Sequence, residues 1–331
     1  MPYVYRMKSD AETPKDEFCA DDLNLITLAR EYQDEDKARA LFELWRWPDG
    51  KPICPHCKHD EVYKITSKPE TKRKVRKGLY CCAACRKTFT ATVGTVMEDS
   101  HVPISKWMMA IFLISSSKKG ISSHQLHRML GVTYKTAWFM AHRIRHAMGE
   151  TPTEGNKLNG IVEVDETFVG GKGDLKTKFS RKVPVVALVE RGGKMQTRVV
   201  NSVTQHNLGK VINECVSKRA VLNTDEHDAY NLVGKEFKEH QTVVHSKKEY
   251  SRRNEDGTKS GINSCESFFS LLKRGVFGAW HSVSREHLQK YSNEFAFRWN
   301  TRFLTDGART AEAIPMFIGK RLMYRQPAAQ T

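Results

Sequence analysis

Three patterns in the 331-residue sequence predict an α/β chain assembled from unlike parts. Five of its eight cysteines crowd between Cys54 and Cys85, a helix-turn-helix pattern runs from Ser122 to Trp138, and beyond residue 160 short β-branched runs alternate with amphipathic stretches. The length predicts two or three folding units. With 39% hydrophobic and 28% charged residues, the chain has enough apolar side chain for a packed core, which excludes a disordered polymer. Its longest apolar run, Trp107–Ile114, is far short of the roughly 20 residues of a bilayer crossing. No apolar segment follows the basic residues of the first dozen positions, so no secretory signal is read and a cytoplasmic location is expected.

In chain order, residues 1–49 read as a helical segment. Its second helix, Asp36–Trp47, carries Ala38, Leu41, Phe42 and Trp45 at helical spacing and stops at Pro48-Asp49-Gly50. Residues 50–98 hold two C-x-x-C turns, Cys54-Pro-His-Cys57 and Cys82-Ala-Ala-Cys85, with 24 residues between them. Each turn aims two thiolates at one point, and two turns complete the tetrahedron that Zn²⁺ accepts. In a reducing cytosol this spacing is a metal site rather than a disulfide pair. Four thiolates leave no open position for water, so the zinc is structural. Cys81 adjoins Cys82, and spacing alone leaves open which of them ligates. Between the turns, Lys68, Lys72, Arg73, Lys74, Arg76 and Lys77 form a basic stretch suited either to a phosphate backbone or to a wet hairpin tip.

Residues 99–150 read as a helix-turn-helix region. Pro103 starts a helix with Trp107, Ala110, Ile111 and Ile114 on one face. Leu126, Met129 and Leu130 define the next helix and Gly131 supplies a tight turn. Thr133 then caps a further helix whose Ala137, Met140 and Ile144 face inward. That leaves Tyr134, Lys135 and Thr136 on its exposed start, where a recognition helix touches bases and phosphates, with Arg143 extending the basic face. Counting 54 Lys and Arg against 38 Asp and Glu gives a net charge of +16, which favours a polyanion. Beside a zinc ribbon and this helix pair, the expected partner is double-stranded DNA.

Residues 151–159, rich in Thr, Pro, Gly and Asn, are expected to be a linker, and 306–331 a C-terminal tail. Residues 160–305 between them have a different texture. Strands are expected at Gly160–Val169, Lys182–Glu190, Met195–Val203, Ala220–Thr224 and Thr242–His245, with helices at Asn207–Lys218, 263–275 and 284–303. Such an order gives a mixed sheet with helices packed on it. The cluster Gly170-Gly171-Lys172-Gly173 misses the glycine spacing of a nucleotide cradle.

Acidic residues in a chain with an anionic partner call for an explanation. Asp165 lies along the first of these strands, Asp225 directly follows the fourth, and Glu266 lies early in the next helix, at separations of 60 and 41 residues. If the first and fourth strands are neighbours, the aspartates face each other and the helix brings Glu266 to the same opening. Carboxylates about 4 Å apart repel by roughly 4 kcal/mol at an effective dielectric near 20, so such a triad calls for protons or cations. Oxygen ligands with open positions suit Mg²⁺ or Mn²⁺. Glu163 shares the face of Asp165 and is the nearest substitute for it, whereas Glu166 points to the other face. His245, with Lys247 and Lys248, ends the fifth strand near the same opening, as a DNA contact or an exposed basic turn.

The strings VEVDET at Val162–Thr167, DEHDAY at Asp225–Tyr230 and NSCESFFSLLKRG at Asn263–Gly275 resemble the DDE insertion-sequence transposases of the ISXO type. So do GAWH at Gly278–His281 and EFAFRWN at Glu294–Asn300, and those transposases also carry an N-terminal zinc ribbon and helix-turn-helix. The resemblance covers residues 20–303. It implies an RNase H-like mixed sheet flanked by helices, in an enzyme that cuts DNA at the ends of a mobile element and joins them to a target. By position it makes Asp165, Asp225 and Glu266 the metal-binding triad and Lys273 the basic residue that follows. Seven residues are about two helical turns, so Lys273 shares a face with Glu266 and can hold a phosphate. Some relatives use Asn for the third acid, and Asn263 stands one turn before Glu266, so that corner stays open between the two. Pairing two ends implies at least a homodimer. The rival expectation is a sequence-specific DNA-binding regulator with a vestigial catalytic domain.

Overall fold

The computed structural model describes residues 20–67, 75–151, 153–170, 182–244, 251–253 and 259–324. The chain divides into two compact units, one of residues 1–117, 121–148 and 303–331, the other of residues 118–120 and 149–302. No described helix is long and apolar enough to cross a membrane.

In the first unit, α1 (Leu25–Glu31) and α2 (Glu35–Arg46) each begin at a side-chain cap. Asn24 accepts from the N–H groups of Ile26 and Thr27, and Asp34 from those of Asp36 and Lys37. The ribbon follows as an antiparallel sheet, β1 (Val62–Ile65), β2 (Leu79–Cys82) and β3 (Thr88–Phe89). Its few apolar residues would not make a core alone, and Trp47 at the end of α2 supplies the rest by packing edge-on against Tyr80 and Phe89. α3 (Ile104–Ser116) opens after Pro103, which has no capping side chain. The cap comes instead from Glu35, whose carboxylate accepts from the N–H groups of Ile104 and Ser105 at 2.8 and 3.1 Å. α4 (Ser123–Leu130) and α5 (Tyr134–Ala147) form the expected pair, with Gly131 left-handed at φ 58° and Thr133 accepting from the Thr136 N–H.

The second unit is a five-stranded sheet of order β6-β5-β4-β7-β8, made of β4 (Ile161–Val169), β5 (Val183–Glu190), β6 (Met195–Val199), β7 (Val221–Thr224) and β8 (Glu239–Thr242). β4, β5 and β6 pair antiparallel, whereas β4–β7 and β7–β8 pair parallel. α6 (Gln205–Cys215) and the single turn α7 (Asn231–Gly234) cover one face, over Val162, Val164, Leu188 and Leu222. A short hairpin, β9 (Ser251–Arg253) with β10 (Lys259–Gly261), leads into α8 (Asn263–Gly275), and α9 (Arg285–Asn300) follows. α8 and α9 cover the opposite face through Phe268, Leu272, Leu288 and Phe295, over Val185, Ala187 and Val189. The structure thus has the α/β layering expected, a mixed sheet flanked by helices.

Three boundaries differ from expectation. The fifth strand lies at Glu239–Thr242 rather than Thr242–His245: its sequence, EHQT, is poor in β-formers, and parallel pairing with β7 makes it a strand. Residues 151–159 are not a free linker, because Leu158 is buried in the sheet's core and bridges Val216. Residues 306–331 are not simply a tail. α10 (Asp306–Ala313) packs on α3, and Ile314 and Phe317 are fully buried in the first unit. α10 runs so close to the start of the described chain that a Cβ on Gly307 would lie 2.0 Å from the Ala20 carbonyl. The apolar repeat of this segment is too short to stand out in the sequence.

Candidate active site and metal centre

Cys54, Cys57, Cys82 and Cys85 converge so that all four sulfurs lie within 4.8 Å of one another. Two of the separations are 3.7 Å (Cys54–Cys85) and 3.5 Å (Cys57–Cys82). Thiolates at about 2.3 Å around a tetrahedral zinc stand roughly 3.8 Å apart, so the donor set and its size fit that ion. Burial pushes the Cys54 thiol up, but the N–H groups of Cys57 and His56 together with the thiols of Cys57 and Cys85 bring it down to about 7. Cys81 is outside the cluster, its thiol directed at the carbonyls of Cys82 and Arg86.

The acidic site is set by strand register. β4 and β7 pair as Ile161↔Val221, Val162↔Leu222 and Glu163↔Asn223, so two residues further along each parallel strand stand Asp165 and Asp225. Both therefore belong to the face that α8 covers, and α8 presents Glu266 in its first turn. Asp165 is half-buried, and its carboxyl is pushed up to about 7, first by burial, then by Glu166, with Asp225 and Glu266 adding to it. One Asp165 oxygen accepts from the Glu166 N–H at 2.8 Å, and one Asp225 oxygen from the His227 N–H at 3.1 Å. Among the described residues, the four cysteines are the one group of His, Cys, Asp or Glu whose ligand atoms all lie within 4.8 Å of each other. The carboxyl oxygens of Asp165, Asp225 and Glu266 are therefore not all within that distance of one another. Their all-oxygen donor set and mutual repulsion fit a hard divalent cation that keeps waters.

The neighbours sort clearly. Glu166 is on the α6 face, as expected, where the buried Tyr230 hydroxyl donates to it. Asn263 and Lys273 are exposed on α8, as is Glu266 itself. Glu163, the expected substitute for Asp165, is only 2% exposed and fully engaged: it accepts from Arg191 Nε at 2.7 Å and from the Ser264 N–H at 2.8 Å. Arg191 is not legible as a site residue from sequence, since ERGGK at 190–194 reads only as a polar hairpin. His245, Lys247 and Lys248 lie outside the described residues.

At the start of α5, Tyr134 and Lys135 are exposed, and Tyr134 stacks on His124 at 4.3 Å. Thr136 is half-buried and its hydroxyl bonds that of Thr133 in the cap. Arg143 departs from the expected DNA face. It is buried, donates to the carbonyls of Leu322 and Glu98, and lies over the Phe139 ring. Its position on α5 faces the returning C-terminal segment, which sequence spacing could not reveal.

The family model of the ISXO2-like transposase domain matches residues 157–300, from just before β4 to the end of α9. The chain thus carries an ISXO2-like transposase domain. A transposase zinc-ribbon domain matches residues 33–88, from the start of α2 to β3. An uncharacterized protein in transposable element ISH50 of Halobacterium salinarum is 27% identical to it over 286 residues, 81% of this chain and 91% of the relative. Among solved structures, the simian T-cell lymphotropic virus intasome in complex with the PP2A regulatory subunit B56 gamma contains a similar chain. The two share 16% identity at a TM-score of 0.27, over 52% of this transposase and 63% of that chain, less than two thirds of its length. So slight a likeness bears on neither fold nor assembly.

Proposed function

We propose that this transposase binds the ends of an insertion sequence, cuts the phosphodiester there by metal-dependent hydrolysis, and joins the freed 3′ ends to target DNA. The observation that carries this reading is the register that brings Asp165 and Asp225 to the same level of neighbouring parallel strands, beneath the first turn of α8 with Glu266. Asp165, Asp225 and Glu266 hold Mg²⁺ or Mn²⁺. When bound, the cations supply acidity to an attacking water or 3′-hydroxyl and neutralise charge on the phosphate. Lys273, two turns along α8, holds a phosphate oxygen and orients the strand. Tyr134, Lys135 and Thr136 at the start of α5 contact the element end, and the zinc ribbon, its Zn²⁺ held by Cys54, Cys57, Cys82 and Cys85, presents its basic loop to the same duplex. Two such chains or more pair the ends, in the cytoplasm.

The test is Asp165→Asn with a labelled duplex carrying the flanking sequence of the encoding element. End binding is expected to persist while cleavage and joining fall at least a thousandfold. Retained strand transfer would sink the assignment. Wild-type protein that binds ends but never nicks them would favour the regulator, and cutting without joining would favour a simple nuclease.

A further inference from the structure

The first turn of α8 lacks a cap of its own. The residue before it, Ile262, has no side-chain acceptor, and the N–H groups that open a helix need one. The acceptor comes from a distant part of the sequence. Glu163, two residues before Asp165 on β4, turns one carboxylate oxygen to the Ser264 N–H at 2.8 Å. Its other oxygen takes the Arg191 guanidinium at 2.7 Å, and Arg191 Nη2 in turn donates to the Gly261 carbonyl at 3.0 Å, just before the helix. Cys265, fully buried, aims its thiol at the carbonyls of Glu163 and Ala187. Gly261, Ser264 and Cys265 are thereby tied to one point on the strand that carries Asp165, and Glu266 is the next residue.

The geometry points to Glu163 as a positioning residue, which with Arg191 clamps the start of α8 and so sets Glu266 at the distance from Asp165 that the cation site needs. The carboxylate is well suited to such a clamp. It is buried, its charge is balanced by Arg191, and it faces the positive end of a helix dipole. Because both its oxygens are occupied, Glu163 supports the site without ligating in it. The proposal rests on the reading of Asp165, Asp225 and Glu266 as cation ligands.

Mn²⁺ binding to the full-length zinc-loaded protein, followed by electron paramagnetic resonance, separates the clamp from the triad. Glu266→Gln is expected to weaken Mn²⁺ binding at least tenfold, and Glu163→Gln three- to tenfold. The double variant should bind no more weakly than Glu266→Gln alone, since a misplaced ligand and a missing one are equivalent losses. Arg191→Lys keeps the net charge but gives up the reach to Gly261, so its loss of Mn²⁺ affinity would come from geometry alone. It also serves if Glu163→Gln does not fold. Unchanged affinity in both Glu163→Gln and Arg191→Lys, or additive losses with Glu266→Gln, would overturn the clamp while leaving the triad intact. An Mn²⁺ affinity indifferent to Glu266→Gln would overturn the triad itself.

Discussion

In the ribbon, four sulfurs from two turns of one small antiparallel sheet stand within 4.8 Å of each other. In the five-stranded sheet, Asp165 and Asp225 follow the parallel pairing of β4 with β7, Glu266 lies in the first turn of the helix on that face, and the carboxyl of Asp165 is pushed up to about 7, first by burial and then by its acidic neighbours. The first centre is local in sequence and closed, which suits an ion bound once and kept. The second depends on long-range register and stays open, as a centre must if substrate oxygens are to enter it. Rigidity is built differently in each, by the ligands themselves in the ribbon and by a surrounding clamp in the sheet.

The largest effect should come from opening the closed centre. Cys82→Ser removes one thiolate, and structural zinc contributes on the order of 10–16 kcal/mol of apparent binding free energy in such modules. Loss of zinc and of hydrogen-exchange protection over β1–β3 is expected, with protection of β4 and β5 retained. Zinc held at full stoichiometry would mean that Cys81 can replace Cys82.

The open centre should respond to pH instead. Asp165 titrates near 7 in the folded chain against about 3.9 unfolded, so folding favours its protonated form. That contribution is complete below about pH 4 and is lost as pH rises through 7, a loss of at most about 4 kcal/mol. Without added Mg²⁺ the Tm should fall over this range, more steeply in wild type than in Asp165→Asn. Mg²⁺ should restore it at pH 7.5 and do little at pH 4.5. Equal slopes in the two proteins would show that the site is not strained by charge.

The smallest effect separates two basic residues on α5. Lys135→Ala should weaken end binding slightly and reduce the salt slope by about 0.9. Arg143→Ala should leave the slope unchanged and lower stability by about 1–3 kcal/mol, since two carbonyls lose their donor. A changed slope for Arg143→Ala would return that residue to the DNA face.

What can be read from the sequence follows the range of the interactions. The turn at Gly131, the cap at Thr133 and the paired C-x-x-C turns are short-range, and each is found where expected. Asp165 and Asp225 can meet only if β4 and β7 are neighbours, and the parallel register makes them so. The engagement of Glu163 is hidden, because its partners Arg191 and Ser264 lie 28 and 101 residues away and alternation along a strand names a face without naming what covers it. The same holds for Arg143, whose acceptor at Leu322 is 179 residues distant. β8 and the β9–β10 hairpin are made by their neighbours more than by their own residues.

The return of α10 and the strand-like bridge at Thr95↔Ile318 make the first unit discontinuous. During synthesis, the half of the molecule translated first therefore waits for its last pieces until the other half has already emerged. A frameshift or stop codon soon after residue 302 would spare every candidate ligand yet leave α3 and α5 without their covering. Such truncated copies would retain the full set of chemical groups on a scaffold unable to close.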